Sequence, residues 1–270
     1  MNFITLFLKI IPFFLLLLVN LFANNTLTIC GTGDNEKLLK NLGKAYELEN
    51  PGIKINVPNS IGSTGGIKHT AEGKCNLGRI ARKIKKREEK YDLNYMLFSY
   101  SAVAFVTNKN IKRLDNLTEI DVKEIFSGEK KLWKFYDLGN KKKIHIVRRE
   151  PSDSSHNVLK NNILSYKNIK KYAGKVMFTT KDAVDALVKY KDTIGYLPYS
   201  SIINTDLNIL KYNNVELNTK NILNKSYTLV LPYGLVYKNE LDDLSKDFIR
   251  FIKTDQARLI IEENGAIPIL

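Results

Sequence analysis

Residues 26–57 read TLTICGTGDNEKLLKNLGKAYELENPGIKINV, and the order of patterns in this stretch decides the fold class. A β-rich run from Thr26 to Cys30 meets a Gly-Thr-Gly turn. An amphipathic helix follows, with Leu38, Leu39, Leu42 and Ala45 on one face and Asp34 placed to cap its start. "ENPG" stops the helix, and "IKINVP" alternates as a second strand. Strand, helix, strand in that order is a βαβ unit, which requires parallel strands with a helix packed on their face.

The alternation continues downstream. A glycine-rich turn at 61–66 opens a helix that ends near Gly73, and a third strand covers Cys75 to Ile80. "YDLNYMLFSYSAVAFVTNKN" reads as two apolar strands, the second long. "LTEIDVKEIFSGEKKLW" is a short helix closed by Gly128, and "KIHIVRR" is a strand leading through a polar loop into the helix "HNVLKNNIL". "KDAVDALVKYKDTIGYLPYSSI" gives a helix then a strand, and "YTLVLPYGLVYK" a strand pair or one long bent strand. Residues 241–265 are helical to Gly265. The pattern is α/β with mixed sheets. A middle block of about a hundred residues, with its own strands and helices, suits a second small domain. Crossings near Ala102–Val106 and Gly195–Ser201 then place 24–102 and 201–270 in one lobe and 103–200 in the other. Ligands in such architectures sit at strand C-termini and between domains.

Composition narrows the classes. With 44% hydrophobic and 26% charged residues, the chain is ordinary globular material, which excludes disorder. The opening "MNFITLFLKIIPFFLLLLVNLFA" has one cation, Lys9, an apolar run from Ile10 to Phe22 and then Ala23, the layout of a secretory signal peptide over 1–23. Cleavage after Ala23 leaves Asn24 first; the alternative is a retained anchor, against which Pro12 and Asn20 interrupt the run. The formal charge is +14, and Lys9 is its only contribution from the leader. Such a field attracts anions of any kind. Export and the lysine-rich character of "RKIKKREEK" and of Lys141–Lys143 favour solvated faces over nucleic-acid binding. Cys30 and Cys75 have no metal spacing, and export permits a disulfide.

Three loops share one design. "CGTGDN" (30–35), "IGSTGGIK" (61–68) and "SDSSHN" (152–157) each follow a strand, carry hydroxyls and run into a helix. A helix N-terminus offers free N–H groups and partial positive charge to an anion. One such loop is most simply a helix cap; three, with Arg82 beside the second and Arg148 and Arg149 beside the third, point to an oxyanion. Neighbouring residues on a strand face opposite ways, so only one of Arg148 and Arg149 enters a cleft, and Arg149 adjoins the loop. Enzyme chemistry finds no support: His69, His145 and His156 lack metal spacing, "GSTGG" is not a nucleophile elbow, and Ser155 beside His156 says nothing of a triad. No cofactor is implied.

These segments resemble a known family. "IGSTGGIKHTAEGKCNLGRIAR" is similar to the glycine-rich and "AEGxxDIGxxSR" segment of periplasmic phosphate-binding proteins, the receptors of ABC phosphate importers. "AVAFVTNKN", "LTEIDVKEIFSGEKKLW", "IHIVRRE", "TIGYLPYSS" and the C-terminal block from "YTLVLPYGLVYK" to "ENGAIPI" match the family's segments in order. The resemblance implies two mixed-sheet lobes of the type 2 periplasmic-binding-protein fold, joined by a two-strand hinge with the ligand cleft between them. It further implies a monomer that closes on phosphate and docks on a membrane permease. Carried over by position, the ligand set is Thr32, Gly33, Ser63, Thr64, Arg82, Arg149, Asp153, Ser154 and Ser155. The family topology also places the strands bearing Cys30 and Cys75 side by side, where they are either bridged or free. Two departures stand out: Asn76 replaces the acid of "DIG", and Asp153-Ser154-Ser155 falls where the family has Ser-Gly-Thr. An acid beside a bound anion rewards an ion that brings a proton, as hydrogen phosphate does and sulfate does not. Asp153 or Asp34 supplies that acceptor, or else Asp153 only caps its helix. Sulfate, molybdate, tungstate or a phosphonate is the alternative ligand. A basic exported protein that binds anionic polymers is the alternative function.

Overall fold

The computed structural model describes residues 25–136 and 142–269. The expected leader over 1–23, its cleavage point and Lys141 lie outside them. The opening βαβ unit forms as its pattern dictates: β1 (Thr26–Gly31) and β2 (Lys54–Asn56) are parallel, with α1 (Glu36–Glu49) crossing between them. Alternation along β1 buries Leu27 and Ile29 completely, and Leu38, Leu39, Leu42 and Tyr46 bring the helix face into the same apolar cluster. Each such side chain contributes roughly 1.5–3 kcal/mol by leaving water.

α2 (Gly62–Ala71) begins inside the glycine-rich stretch rather than after it. The reason is a close approach: a Cβ on Gly66 would stand 2.8 Å from the Gly31 Cα, so only glycine lets this helix lie on the end of β1. β3 (Leu77–Ile80) then pairs parallel on the other side of β1. Asn94–Thr107 is a single strand, β4, where the sequence suggested two. Ser99 and Ser101 interrupt the apolar run, but both are buried within the ladder rather than turned out at a loop. The first part of β4 pairs antiparallel with β10 (Val230–Tyr237), itself one strand, and the second part with β8 (Thr193–Pro198). With β6 (His145–Arg149) and β7 (Lys175–Met177) beyond β8, the strand order β2-β1-β3-β10-β4-β8-β6-β7 makes two half-sheets that share β4.

The second half-sheet is built from β5 (Asn116–Leu117), β6 (His145–Arg149), β7 (Lys175–Met177), β8 and β9 (Asn208–Tyr212). Its helices are α3 (Glu119–Ser127), boxed by Thr118 and Asp121 and closed by Gly128, then α4 (Ser154–Asn162), α5 (Leu164–Lys167), α6 (Thr180–Lys189), α7 (Tyr199–Ile202) and α8 (Thr219–Leu223). The chain returns later than Ser201. β9 pairs with Phe105–Thr107, the Tyr212 ring packs 5.7 Å from Phe105, and the Val103 N–H donates to the Leu229 carbonyl just before β10. Residues 241–265 form two helices instead of one, α9 (Asp243–Phe251) and α10 (Asp255–Glu263), because the Thr254 hydroxyl accepts the Ala257 N–H and starts a new helix there. β11 (Ile267–Pro268) closes on β4. Among the described residues, no helix is long and apolar enough to cross a membrane.

Cys30 and Cys75 are joined, tying the end of β1 to the approach to β3 across 45 residues. A loop of that length confers about 2–4 kcal/mol by restricting the unfolded chain. A Cys30→Ser/Cys75→Ser variant is expected to unfold at lower urea by that amount with little change in slope; an unchanged midpoint would contradict a stabilising bridge.

Candidate functional site

The first loop hangs on a buried arginine. Arg79, in β3, is fully buried, and its guanidinium donates to the carbonyls of Thr32, Ile29 and Pro58 while meeting the Glu36 carboxylate at 3.1 Å. Burial lowers its pKa to about 10, which leaves it cationic at neutral pH, with Glu36 opposing the shift. Gly31 has φ 148°, and a Cβ there would collide with the Arg79 carbonyl at 2.0 Å. The loop thus bends tightly enough for the Thr32 N–H to reach that carbonyl at 3.1 Å.

Asp34 does not cap α1, whose cap position is Asn35 with no side-chain bond. It turns inward instead and is 2% exposed. Thr180 Oγ1, at the start of α6, donates to its Oδ1 at 3.2 Å, and Thr32 Oγ1 donates to its Oδ2 at 3.2 Å. Tyr233 and Ser200 hydroxyls fix its backbone carbonyl at 2.8 and 3.3 Å. Burial, followed by the nearby charge of Asp153, raises the Asp34 pKa to about 7, against the opposing pull of Arg149 and the two threonine hydroxyls. Gly33 packs under Thr180, whose Oγ1 would lie 2.9 Å from any Cβ at that position.

The second loop gives Ser63 and Thr64 in the first turn of α2. Ser63 Oγ accepts the Ala81 N–H at 3.2 Å and touches Ser154 Oγ at 3.3 Å across the cleft. Thr64 Oγ1 accepts from Arg82 at 3.0 Å and donates to Glu88 at 3.2 Å. Arg82 clamps Glu88 with two bonds of 2.7 Å. Burial alone would raise the Glu88 pKa, but Arg82, the Lys85 N–H and Thr64 together hold it below the usual carboxylate range.

The third loop joins β6 to α4. Arg149 is 4% exposed; Nη2 donates to Asp153 Oδ2 at 2.8 Å and to the Phe178 carbonyl at 3.3 Å. Its Nε and Nη1 have no partner among the described residues, and neither has the buried Ser155 Oγ. Arg148 points to the other face, over the Tyr172 ring, as strand alternation requires. Asp153 caps α4, its Oδ1 accepting the His156 N–H at 3.1 Å, so the cap reading holds while Oδ2 also grips Arg149. Behind the loop, burial pushes the His156 pKa down to about 4, and its neutral ring sits 3.1 Å from the Tyr166 and Tyr196 hydroxyls. His156 is a support for the loop.

These loops enclose a cleft of about 430 Å³ between the half-sheets. Thr32, Ser63, Thr64, Arg149, Asp153 and Ser154 line it together. Three expected residues do not. Arg82 is drawn into its pair with Glu88; Gly33 faces a neighbouring hollow of about 390 Å³; Ser155 is fully buried. Sequence reasoning missed Arg87 and Thr179 on the cleft wall and Thr180 behind it. "FTTKDAV" carried the signal for the threonines, a strand end with paired hydroxyls opening a helix. Asn76 lies away from the cleft, bonding the Thr28 N–H and donating to Asp242 at 3.0 Å, where a second carboxylate would be repelled. The cleft thus combines the N-terminal turns of α2 and α4, a buried arginine with unpaired guanidinium nitrogens and the acidic side chains of Glu150 and Asp153, with Asp34 bonded to Thr32 behind the lining. Chemically it can hold a small oxyanion and accept a proton from it.

Because Arg82 is spent on Glu88, an Arg82→Ala variant is expected to change oxyanion affinity less than about tenfold while lowering thermal stability. A larger affinity loss in a folded variant would return Arg82 to the ligand set.

Comparison with known proteins agrees with this geometry. A family model described as a PBP superfamily domain matches residues 22–256. The phosphate-binding protein PstS of Borreliella burgdorferi is 26% identical over 277 residues, covering 94% of this chain and 98% of that protein. The Bacillus subtilis PstS is 26% identical, covering 92% and 82%. A phosphate ABC transporter substrate-binding protein from Clostridium perfringens, solved with bound phosphate, superposes with a TM-score of 0.80 at 26% identity, over 91% of this chain and 100% of that one. Two half-sheets sharing a long strand, with an oxyanion-type cleft between them and a family match along most of the length, lead to one assignment: the chain belongs to the PBP superfamily.

Proposed function

We propose that this chain is an exported solute-binding protein that captures inorganic phosphate in the interlobe cleft and delivers it to an ABC permease. The observation that carries the reading is the donor and acceptor balance of the cleft. Arg149 presents two unpaired buried nitrogens, the first turns of α2 and α4 present N–H groups, and Asp153 lines the same wall. A fully ionised oxyanion in the cleft is repelled by that carboxylate, whereas hydrogen phosphate brings a proton it can accept. The relatives named PstS and the phosphate-bound neighbour support this ligand over other oxyanions.

Strand pairing supports a division with 25–102 and about 229–269 as the first lobe and 103 to about 228 as the second, hinged where β4 and the start of β10 pass between half-sheets. Ser63–Ser154 and Asp34–Thr180 are the contacts that closure makes. The leader directs the chain to the periplasm, where it works as a monomer, binding without chemical turnover.

A thermal-shift screen of phosphate, sulfate, molybdate, tungstate and phosphonates tests the ligand, since only a true ligand stabilises the folded form. Asp153→Asn keeps a capping oxygen but removes the charge, so the preference for phosphate over sulfate is expected to narrow by at least about tenfold. Unchanged discrimination would remove Asp153 from the selectivity mechanism.

A further inference from the structure

The outer side of the second half-sheet carries another concavity. A groove of about 920 Å³ lies between the edge strand β7, the start of β6, the end of α6 and the segment after α3. Leu132, Ile146, Val147, Met177, Ala186 and Tyr190 are among its apolar lining, and it shares no residue with the oxyanion cleft. Its rim holds Lys130, Lys131, Lys143, Lys175 and Lys191, and among the described residues no carboxylate lines it. Lys130 is committed to Glu124 and Asp121. The other four are exposed and have no ion-pair partner among the described residues.

Two costs coincide here. Apolar surface faces water, and four like charges stand around it without an ion-pair partner among the described residues. A polyanion would answer the charges and leave the floor wet. A neutral apolar molecule would do the reverse. An anion on an alkyl chain answers both, with the lysine stems lying along the chain and the ammonium groups at its head. The volume falls within the roughly 300–1,000 Å³ range of small-molecule sites. We propose that this groove binds one free single-chain anionic amphiphile, a fatty-acid-like carboxylate with its head among Lys131, Lys143, Lys175 and Lys191 and its chain along the floor.

The test uses the full chain with phosphate present, titrated with the fluorescent fatty acid cis-parinaric acid below its aggregation concentration. Saturable one-to-one binding is expected, displaced by palmitate and not by a cationic amphiphile of equal chain length. A Lys143→Glu/Lys175→Glu variant is expected to lose at least about tenfold in affinity for the probe, with phosphate binding unchanged as the measure of intact folding. Tyr190→Ala, which trims the floor and keeps the charges, is expected to weaken the probe as well. Absence of saturable binding, equal affinity in the charge-reversed variant, or association only with anionic vesicles and not with the monomeric probe would overturn the proposal.

Discussion

An Arg149→Ala variant is expected to bind phosphate about 30- to 5,000-fold more weakly than the unaltered chain, the largest effect of any cleft substitution. The range corresponds to the roughly 2–5 kcal/mol lost when one member of a buried, hydrogen-bonded charge pair is truncated. Arg149 is nearly inaccessible and has spent only Nη2 of its guanidinium on protein partners, so Nε and Nη1 remain as buried donors without a partner among the described residues. The same substitution strands Asp153, whose Oδ2 loses its partner. Stability therefore falls too, and a pure folding defect has to be separated from a binding defect. Arg149→Met/Asp153→Asn removes both charges while retaining bulk, and should restore much of the stability without restoring affinity. Isothermal titration on either folded variant checks this; a loss below about tenfold would take Arg149 out of the ligand set.

The second large effect concerns Asp34 and pH. Its pKa stands near 7 in the folded chain against the ordinary carboxyl value of 3.8. The folded form therefore holds this proton more tightly than the unfolded form. Asp34 contributes stability that is fully present below about pH 4 and is lost as pH rises through about 7. Above that range the unliganded protein carries a buried carboxylate whose neighbours include Asp153. Asp34→Asn cannot ionise, so its melting temperature is expected to lack this decline and to exceed that of the unaltered chain by about 5 °C or more at pH 8, with a much smaller difference at pH 5. A difference independent of pH would contradict the raised pKa. The protonation of Asp34 is also expected to reach the cleft through Thr32. When ionised it accepts the Thr32 hydroxyl, which then turns a lone pair to the cleft; when protonated it frees that hydroxyl to donate.

The βαβ opening, the Gly128 stop and the Arg148/Arg149 face assignment were legible because each rests on a local rule: periodicity, an αL cap and strand alternation. The strand count in 91–110 was not, because Ser99 and Ser101 look like loop residues until tertiary pairing buries them. The break at Thr254 was hidden within a continuous helical pattern, and the late return at β9 depends on pairing with Phe105–Thr107, which no local signal encodes. Of the nine residues expected from the strand–loop–helix design, six line the cleft. Arg82 does not line the cleft because it pairs with Glu88, a partner six residues on in a 3-10 turn. Arg79 and Asp34 show the same limit from the other side: their roles come from burial among backbone carbonyls and threonines distant in sequence.

Isothermal titration of the chain with phosphate and with sulfate, each at low and high ionic strength near pH 7, bears most directly on the central claim. A cleft that shields its ligand predicts one phosphate per chain, bound with little salt dependence, and sulfate bound far more weakly. Salt-sensitive binding without fixed stoichiometry, as a basic surface gives with any polyanion, or equal affinity for the two anions, would contradict it.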